Sequence, residues 1–349
     1  MDKNYLNKIL NKAQEIGASD IHLLSGLVPY VRTVGDIIPM DDFVPMTGKD
    51  IIDIFFSFMD KYSQENFLKY FQSDFSYFNV ENKTRYRINI FRNNNGVSAA
   101  LRQLNTNIPD LENSNYPDII RKIASLNKGL VLVCGPTGSG KSTTLSAIIE
   151  YINKNQKKHI ITIEDPIEYV FKSKNSIIDQ REIGKSVLSF ADGLKGCLRE
   201  DPDVIMIGEM RDKDTIKMAL TAAETGHLVF GTLHTMSASK SIDRIIDSVD
   251  LNEKEVVRSM ISTSLQAVVL QTLLKANDPT KRIAAFEVLV GTGGIRNMIR
   301  ENKTHQIDSM IQTGSKYGMV TMKEYIEKLL EKNLVDRADA LSRIIKVDD

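Results

Sequence analysis

Eight consecutive residues, Gly135-Pro136-Thr137-Gly138-Ser139-Gly140-Lys141-Ser142, satisfy the spacing G-x-x-x-x-G-K-[ST] at every fixed position. The chemistry of such a run is phosphate binding. Small residues let successive backbone N–H groups converge on an anion, and a helix starting behind them adds the positive end of its dipole. Lys141 would reach the β- and γ-phosphates, and the Ser142 hydroxyl would sit on Mg²⁺. The flanks suit this role. Leu130–Cys134 is an apolar run with strand character, and Thr143–Ile149 reads as a helix with an apolar face. Residues 135–143 are therefore expected to hold a nucleoside triphosphate.

Three further strand-like runs end in polar residues, and in sheets of this kind ligands sit at the carboxyl ends of strands. Val204–Ile207 is followed by Gly208-Glu209. Glu209 is placed to orient or deprotonate an attacking water. Gly208 stands where the Mg²⁺-binding Asp of many such sites is found, so the metal's outer contacts must come from elsewhere or through water. Ile161–Ile163 leads into Glu164, Asp165 and Glu168, carboxylates close enough to call for a cation or a basic partner. Glu164 suits a metal-linked role, whereas Asp165 and Glu168 also read as loop caps and surface acids. Gly231-Thr232-Leu233 ends in His234, which could sense the γ-phosphate or simply pack or face solvent. His227 follows Gly226 and reads equally as the residue after a helix cap.

A second cluster lies near the front of the chain. Arg85 and Arg87 are two apart on an expected strand and so share a face. If the turn Asn93–Gly96 closes symmetrically, Arg87 lies opposite Arg102, and like charges so placed call for an anion. The alternatives are ion pairing with Asp74 or Glu81, or a one-residue shift in register. An anion brought to a separate domain would suit arginine fingers at a nucleotide site.

The elements that must position these groups fall into two α/β regions. Residues 1–105 read as a helix over Asp2–Ile16, strands at Asp20–Leu24 and Tyr30–Val34, and helical patterns from Lys49 to Phe71. Antiparallel strands follow at Asp74–Val80, Thr84–Arg92 and Val97–Leu104. Residues 106–117, with two prolines and several asparagines, read as a linker. Residues 118–349 alternate strand and helix, the signature of a parallel sheet covered on both faces, with a helical tail after Gly293.

With 45 basic and 45 acidic residues the 349-residue chain has no formal net charge, and it has no Trp. Both facts weigh against a dedicated nucleic-acid binder. No run reaches membrane-spanning length, so the expectation is a cytoplasmic protein that meets membranes only through partners. Cys134 and Cys197 belong to no paired metal motif and are expected in the core.

In order, Gly135–Thr143, Ile163–Val170, Asp201–Asp212 and Thr221–Thr235 resemble the Walker A motif, Asp box, Walker B motif and His box of the type II/IV secretion ATPases. Ala18–Leu23 and Val31-Arg32-x-x-Gly35-Asp36 resemble that family's N-terminal domain. Gly294-Ile295-Arg296-Asn297-Met298-Ile299-Arg300-Glu301 is similar to a tail motif of its pilus-retraction branch, with Gly294 and Met298 in place of Ala and Leu. The resemblance implies a RecA-like P-loop ATPase domain behind a smaller PAS-like α/β domain. It also implies a homo-hexameric Mg-ATP motor that depolymerises pili and acts on an inner-membrane platform protein. It assigns Glu209 as the catalytic glutamate, Glu164 and His234 to turnover, and Arg85, Arg87 and Arg102 to closing the nucleotide site. Within the family the alternatives are an assembly or secretion ATPase, or a DNA-uptake motor. The assembly enzymes carry a four-cysteine metal site, which two cysteines cannot supply.

Overall fold

The computed structural model describes residues 1–33, 36–104, 107–112, 115–278 and 281–348. Val34 and Gly35 of the expected front motif, and Asn105, Thr106, Asn113 and Ser114 of the expected linker, lie outside the described residues. The chain divides into two compact units. The first comprises Met1–Asn107 with Pro166–Val170 and Gly184–Ser186, and the second the remainder.

The first unit opens with α1 (Lys3–Glu15), capped by the Asp2 side chain, which accepts from the Tyr5 N–H. Leu6, Ile9, Leu10 and Ala13 recur at helical spacing and are buried. Strands β1 (Asp20–Leu23), β2 (Tyr30–Thr33) and β3 (Asp36–Pro39) follow. Then come α2 (Gly48–Phe56), which starts at a Thr47–Asp50 capping box, and α3 (Lys61–Tyr70), capped by Asp60. Strands β4 (Gln72–Asn79), β5 (Thr84–Asn93) and β6 (Gly96–Leu104) complete an antiparallel six-stranded sheet ordered β3-β2-β1-β6-β5-β4. The β5–β6 turn closes with Asn93 opposite Gly96, which sets Arg87 opposite Arg102 as the symmetric turn requires. Edge strand β3 was not expected. All four of its residues are exposed, so it carries no alternation that a sequence could display.

The second unit holds α4 (Asp118–Ala124), β7 (Gly129–Cys134), α5 (Lys141–Asn155), β8 (His159–Glu164), β9 (Ile177–Glu182) and α6 (Phe190–Cys197). It continues through β10 (Val204–Ile207), α7 (Lys213–Glu224), β11 (Leu228–Leu233), α8 (Ala238–Asp247) and α9 (Lys254–Ser264). Strands β12 (Leu265–Lys275) and β13 (Arg282–Val290) precede α10 (Gly293–Arg300), α11 (Ile307–Thr313), α12 (Met322–Glu331) and α13 (Arg337–Asp348). The sheet order is β13-β12-β7-β11-β10-β8-β9, parallel except for β13. Strands β7, β10 and β11 are buried along their whole length, as a sheet covered on both faces requires. Strand β9 was not singled out in the sequence. It is an edge strand whose Asp179-Gln180-Arg181-Glu182 run has no apolar signal. Cys134 and Cys197 are free and buried, and burial pushes the Cys197 thiol up to about 12.

Candidate active site

The four motifs meet because β7, β11, β10 and β8 are consecutive neighbours in the sheet. Each ends at the same edge and hands over one group: the glycine loop, His234, Glu209 and Glu164 in turn.

The loop after β7 is shaped by two contacts that only glycine allows. Gly135 has φ +142°, and a Cβ there would stand 2.3 Å from the Gln271 carbonyl oxygen. Gly140 has φ +87° and opens α5 in the left-handed region. Gln271 of β12 is buried and holds the loop from behind. Its Nε2 donates to the Ser139 carbonyl at 2.7 Å, and its Oε1 accepts from the Thr144 hydroxyl at 2.6 Å. No sequence motif marked Gln271, since it acts through contacts 132 and 127 residues away.

Lys141 is buried, and its Nζ donates to the carbonyls of Gly135 at 2.8 Å and Pro136 at 3.0 Å. It also lies 3.4 Å from His234 Nδ1. An ammonium has only protons to give, so Nδ1 is the acceptor and Nε2 carries the imidazole proton. Nε2 faces Glu209 Oε1 at 3.3 Å. His234 therefore bridges Lys141 and Glu209, and the reading of it as a merely packed or solvated residue does not describe its contacts. His227 fits the cap reading instead: its backbone N–H and ring Nδ1 both reach the Ala222 carbonyl, at 3.2 and 2.9 Å.

Glu209 is also ion-paired with Arg211. Burial favours its neutral form, but hydrogen bonding and charge from Arg211, joined by His234, outweigh that and hold the carboxyl below the usual range. Gly208 is explained by the neighbouring strand. Its N–H donates to the Ile163 carbonyl at 2.8 Å, and a Cβ would come within 3.3 Å of that oxygen and 3.4 Å of Glu164 Cα. An aspartate at 208 would crowd the end of β8.

Glu164 is buried at the tip of β8, where its Oε1 accepts from Thr162 Oγ1 at 2.7 Å and Gln180 Nε2 at 3.1 Å. Asp165 is exposed. Among the described residues no group of three or more His, Cys, Asp or Glu could hold a metal by itself. The available donors are the exposed Ser142 hydroxyl and the carboxylates of Glu164 and Glu209. Hard oxygens in small number fit Mg²⁺, which keeps much of its shell as water and phosphate.

On the opposite flank of β7, a cleft of about 310 Å³ runs along Pro136–Ser139 and is walled by Thr272, Leu273, Arg282 and Arg343.

In the first unit, Arg87 and Arg102 face each other across the ladder, and each has an acid of its own. Arg87 Nε lies 3.7 Å from Asp74, and Arg102 Nε donates to Asp20 at 2.8 Å. Arg85 Nη2 donates to the Ser76 hydroxyl at 2.7 Å. The pairing reading is thus correct for Asp74, while Glu81 instead accepts from Asn7.

The tail motif forms α10, with Ile295 and Ile299 fully buried. Arg296 is held against the backbone around it. Its guanidinium donates to the carbonyls of Gly291 at 2.8 Å, Leu265 at 3.2 Å and Thr263 at 3.3 Å, tying α10 to the end of α9 and the start of β12. Arg300 is exposed.

Residues 77–337 match the protein family described as Type II/IV secretion system protein. The Pseudomonas aeruginosa protein named type IV pilus retractation ATPase PilT is 44% identical over 335 residues, 96% of this chain and 96% of that one. A Neisseria gonorrhoeae protein named twitching motility protein is 48% identical over 307 residues, 88% of this chain and 82% of that one. A crystal structure of the pilus retraction motor PilT with bound ADP superposes with a TM-score of 0.87. It is 45% identical and covers 96% of this chain and 95% of the other.

Proposed function

The chain belongs to the Type II/IV secretion system protein family, and on that premise we propose that it is the ATP-hydrolysing motor that powers type IV pilus retraction. It is an ATPase. The observation that carries the hydrolytic part of this reading is the contact line Lys141–His234–Glu209, which joins the phosphate-binding loop to a carboxylate held ionised by Arg211, and the likeness to pilus retraction motors supports the rest.

The phosphates of ATP take over Lys141 from the Gly135 and Pro136 carbonyls. Ser142, and Glu164 through water, would hold Mg²⁺, which supplies positive charge to the β- and γ-phosphate oxygens when bound. Glu209 orients the attacking water and accepts its proton while the γ-phosphoryl group passes from ADP to the water oxygen. His234 shares its two ring nitrogens between the lysine and the glutamate, so a change at the phosphate is felt at the carboxylate. The nucleoside extends to the other flank of β7, into the cleft beside Leu273 and Arg282.

Further parts of the proposal concern assembly. Six copies form a ring, and the front domain, residues 1–105, brings Arg85, Arg87 and Arg102 to a nucleotide on a neighbouring copy. Exchange of Asp74 and Asp20 for phosphate oxygens would free Arg87 and Arg102 for that role. The ring works on an inner-membrane pilus platform protein from the cytoplasmic side. In this reading the ring meets the bilayer through that partner; among the described residues no helix is long and apolar enough to cross a membrane.

The test is a count of surface pili in cells carrying Glu209→Gln, with twitching scored alongside. More pili with lost movement is the expected result. Bald cells would mean that the motor assembles pili instead.

A further inference from the structure

The cleft on the β12 side of the loop has a wall that nucleotide chemistry at the strand ends does not explain. Arg343 belongs to α13, the last helix of the chain, yet it lines the same space as Pro136–Ser139. Its placement is fixed by the end of β12. The Asp336 N–H donates to the Lys275 carbonyl at 2.8 Å, and the Lys275 N–H donates to Asp339 Oδ2 at 2.9 Å. Asp336 also caps the helix through the Asp339 N–H at 2.8 Å. Arg343 is four residues beyond Asp339 and so lies on the same face of α13, and it lines the cleft beside Thr272 and Leu273 of β12. Ala340 on that face is fully buried.

Two guanidiniums, Arg282 and Arg343, border this one cleft, and among the described residues neither makes a side-chain hydrogen bond or ion pair. Two like charges around one polar space, with a glycine loop on its floor, create a site for an anion. A guanidinium also offers a flat face to a base and a fork of donors to phosphate or ribose oxygens. We infer that Arg343 contacts the bound nucleotide, so that the C-terminal helix tightens on β12 when the site fills and loosens when it empties. The inference rests on the reading of residues 135–143 as the nucleotide loop, and it adds a sensor of occupancy outside the four motifs.

ADP binding to the purified chain is measured by calorimetry, with amide hydrogen exchange of α13 followed in parallel. Arg343→Gln keeps the side-chain stem and removes the charge. It should weaken ADP binding roughly tenfold, the scale of one charge-assisted hydrogen bond. Arg343→Lys should recover part of the loss. In the unsubstituted chain ADP should slow exchange in α13; in Arg343→Gln that slowing should vanish while α5 stays protected. Affinity unchanged within twofold, or exchange in α13 indifferent to ADP in the unsubstituted chain, would overturn the inference. Lys141→Ala separates the two levels. If that variant binds ADP normally, the loop reading itself fails; if it loses binding while Arg343→Gln does not, only the sensor fails.

Discussion

On one side of β7 the neighbouring strands β11, β10 and β8 deliver His234, Glu209 and Glu164 from the ends of strands, where the backbone is leaving the sheet. On the other side β12 delivers Gln271 from the middle of an eleven-residue strand. Gln271 pairs with Phe286 in the β12–β13 ladder and is satisfied at both ends of its amide. Glu209 and His234 are held by long or solvent-facing contacts, with Arg211 three-quarters exposed. The difference separates two tasks. In the proposed mechanism the groups that exchange protons and partners in each cycle sit where partners can change, and the group that shapes the loop sits buried within a strand. If that division holds, substitutions on the first side should cost turnover, and substitutions on the second should cost stability and loop geometry.

The largest effect is expected at Glu209→Gln. Removing a general base costs about 10²–10⁴ in rate, and phosphate release should fall within that range. ATP affinity should stay within about threefold, because Lys141 and the loop are untouched. Normal hydrolysis would dissolve the comparison at once, for the reacting side would then lack its central group.

How much of each side could be read in advance follows from the same division. Glu209, His234 and Glu164 stand within short contiguous motifs because a strand end and its first loop residues are adjacent in sequence. The loop itself is legible for the same reason, and so is the hairpin that opposes Arg87 and Arg102. Gln271, Arg282 and Arg343 act singly from three elements, and no local spacing connects them to Gly135. Edge strands β3 and β9 were missed on similar grounds. An edge that faces solvent has no apolar alternation, and pairing with a neighbour supplies what the sequence lacks. The contacts of Arg296 were not legible either, because spacing only places it on a helix surface, whereas the fold brings the end of α9 and the start of β12 beside it.

Gln271→Leu probes the second side. The change keeps approximate volume but leaves the Ser139 carbonyl and the Thr144 hydroxyl without their partner. Orphaning two buried polar groups costs about 3 kcal/mol. The unfolding midpoint should drop by roughly 5–10 °C, with weaker ADP binding as the loop relaxes. An unchanged midpoint, read by calorimetry with and without ADP, would place the loop's rigidity elsewhere.

The smallest effect sharpens the first side without breaking it. Arg211→Gln should leave hydrolysis at pH 8 within about threefold, since an exposed ion pair contributes little by itself. The pH profile should change nonetheless. Burial of Glu209 favours protonation, and Arg211 with His234 overrides it, so the native carboxyl titrates below the usual range. A protonated Glu209 cannot accept the water's proton. Activity is therefore present above the carboxyl's pKa and is lost as pH falls through it. Without Arg211 the burial that raises the pKa is opposed by His234 alone, so the acidic limb must move to higher pH. The stability that the ionised pair contributes has the same sign: it is present above the ordinary glutamate range and is lost as pH falls through the lowered value. A limb that stays in place would mean that His234 alone keeps Glu209 ionised. The imidazole bridge to Lys141 would then set the carboxylate's charge, and Arg211 would serve only to orient it.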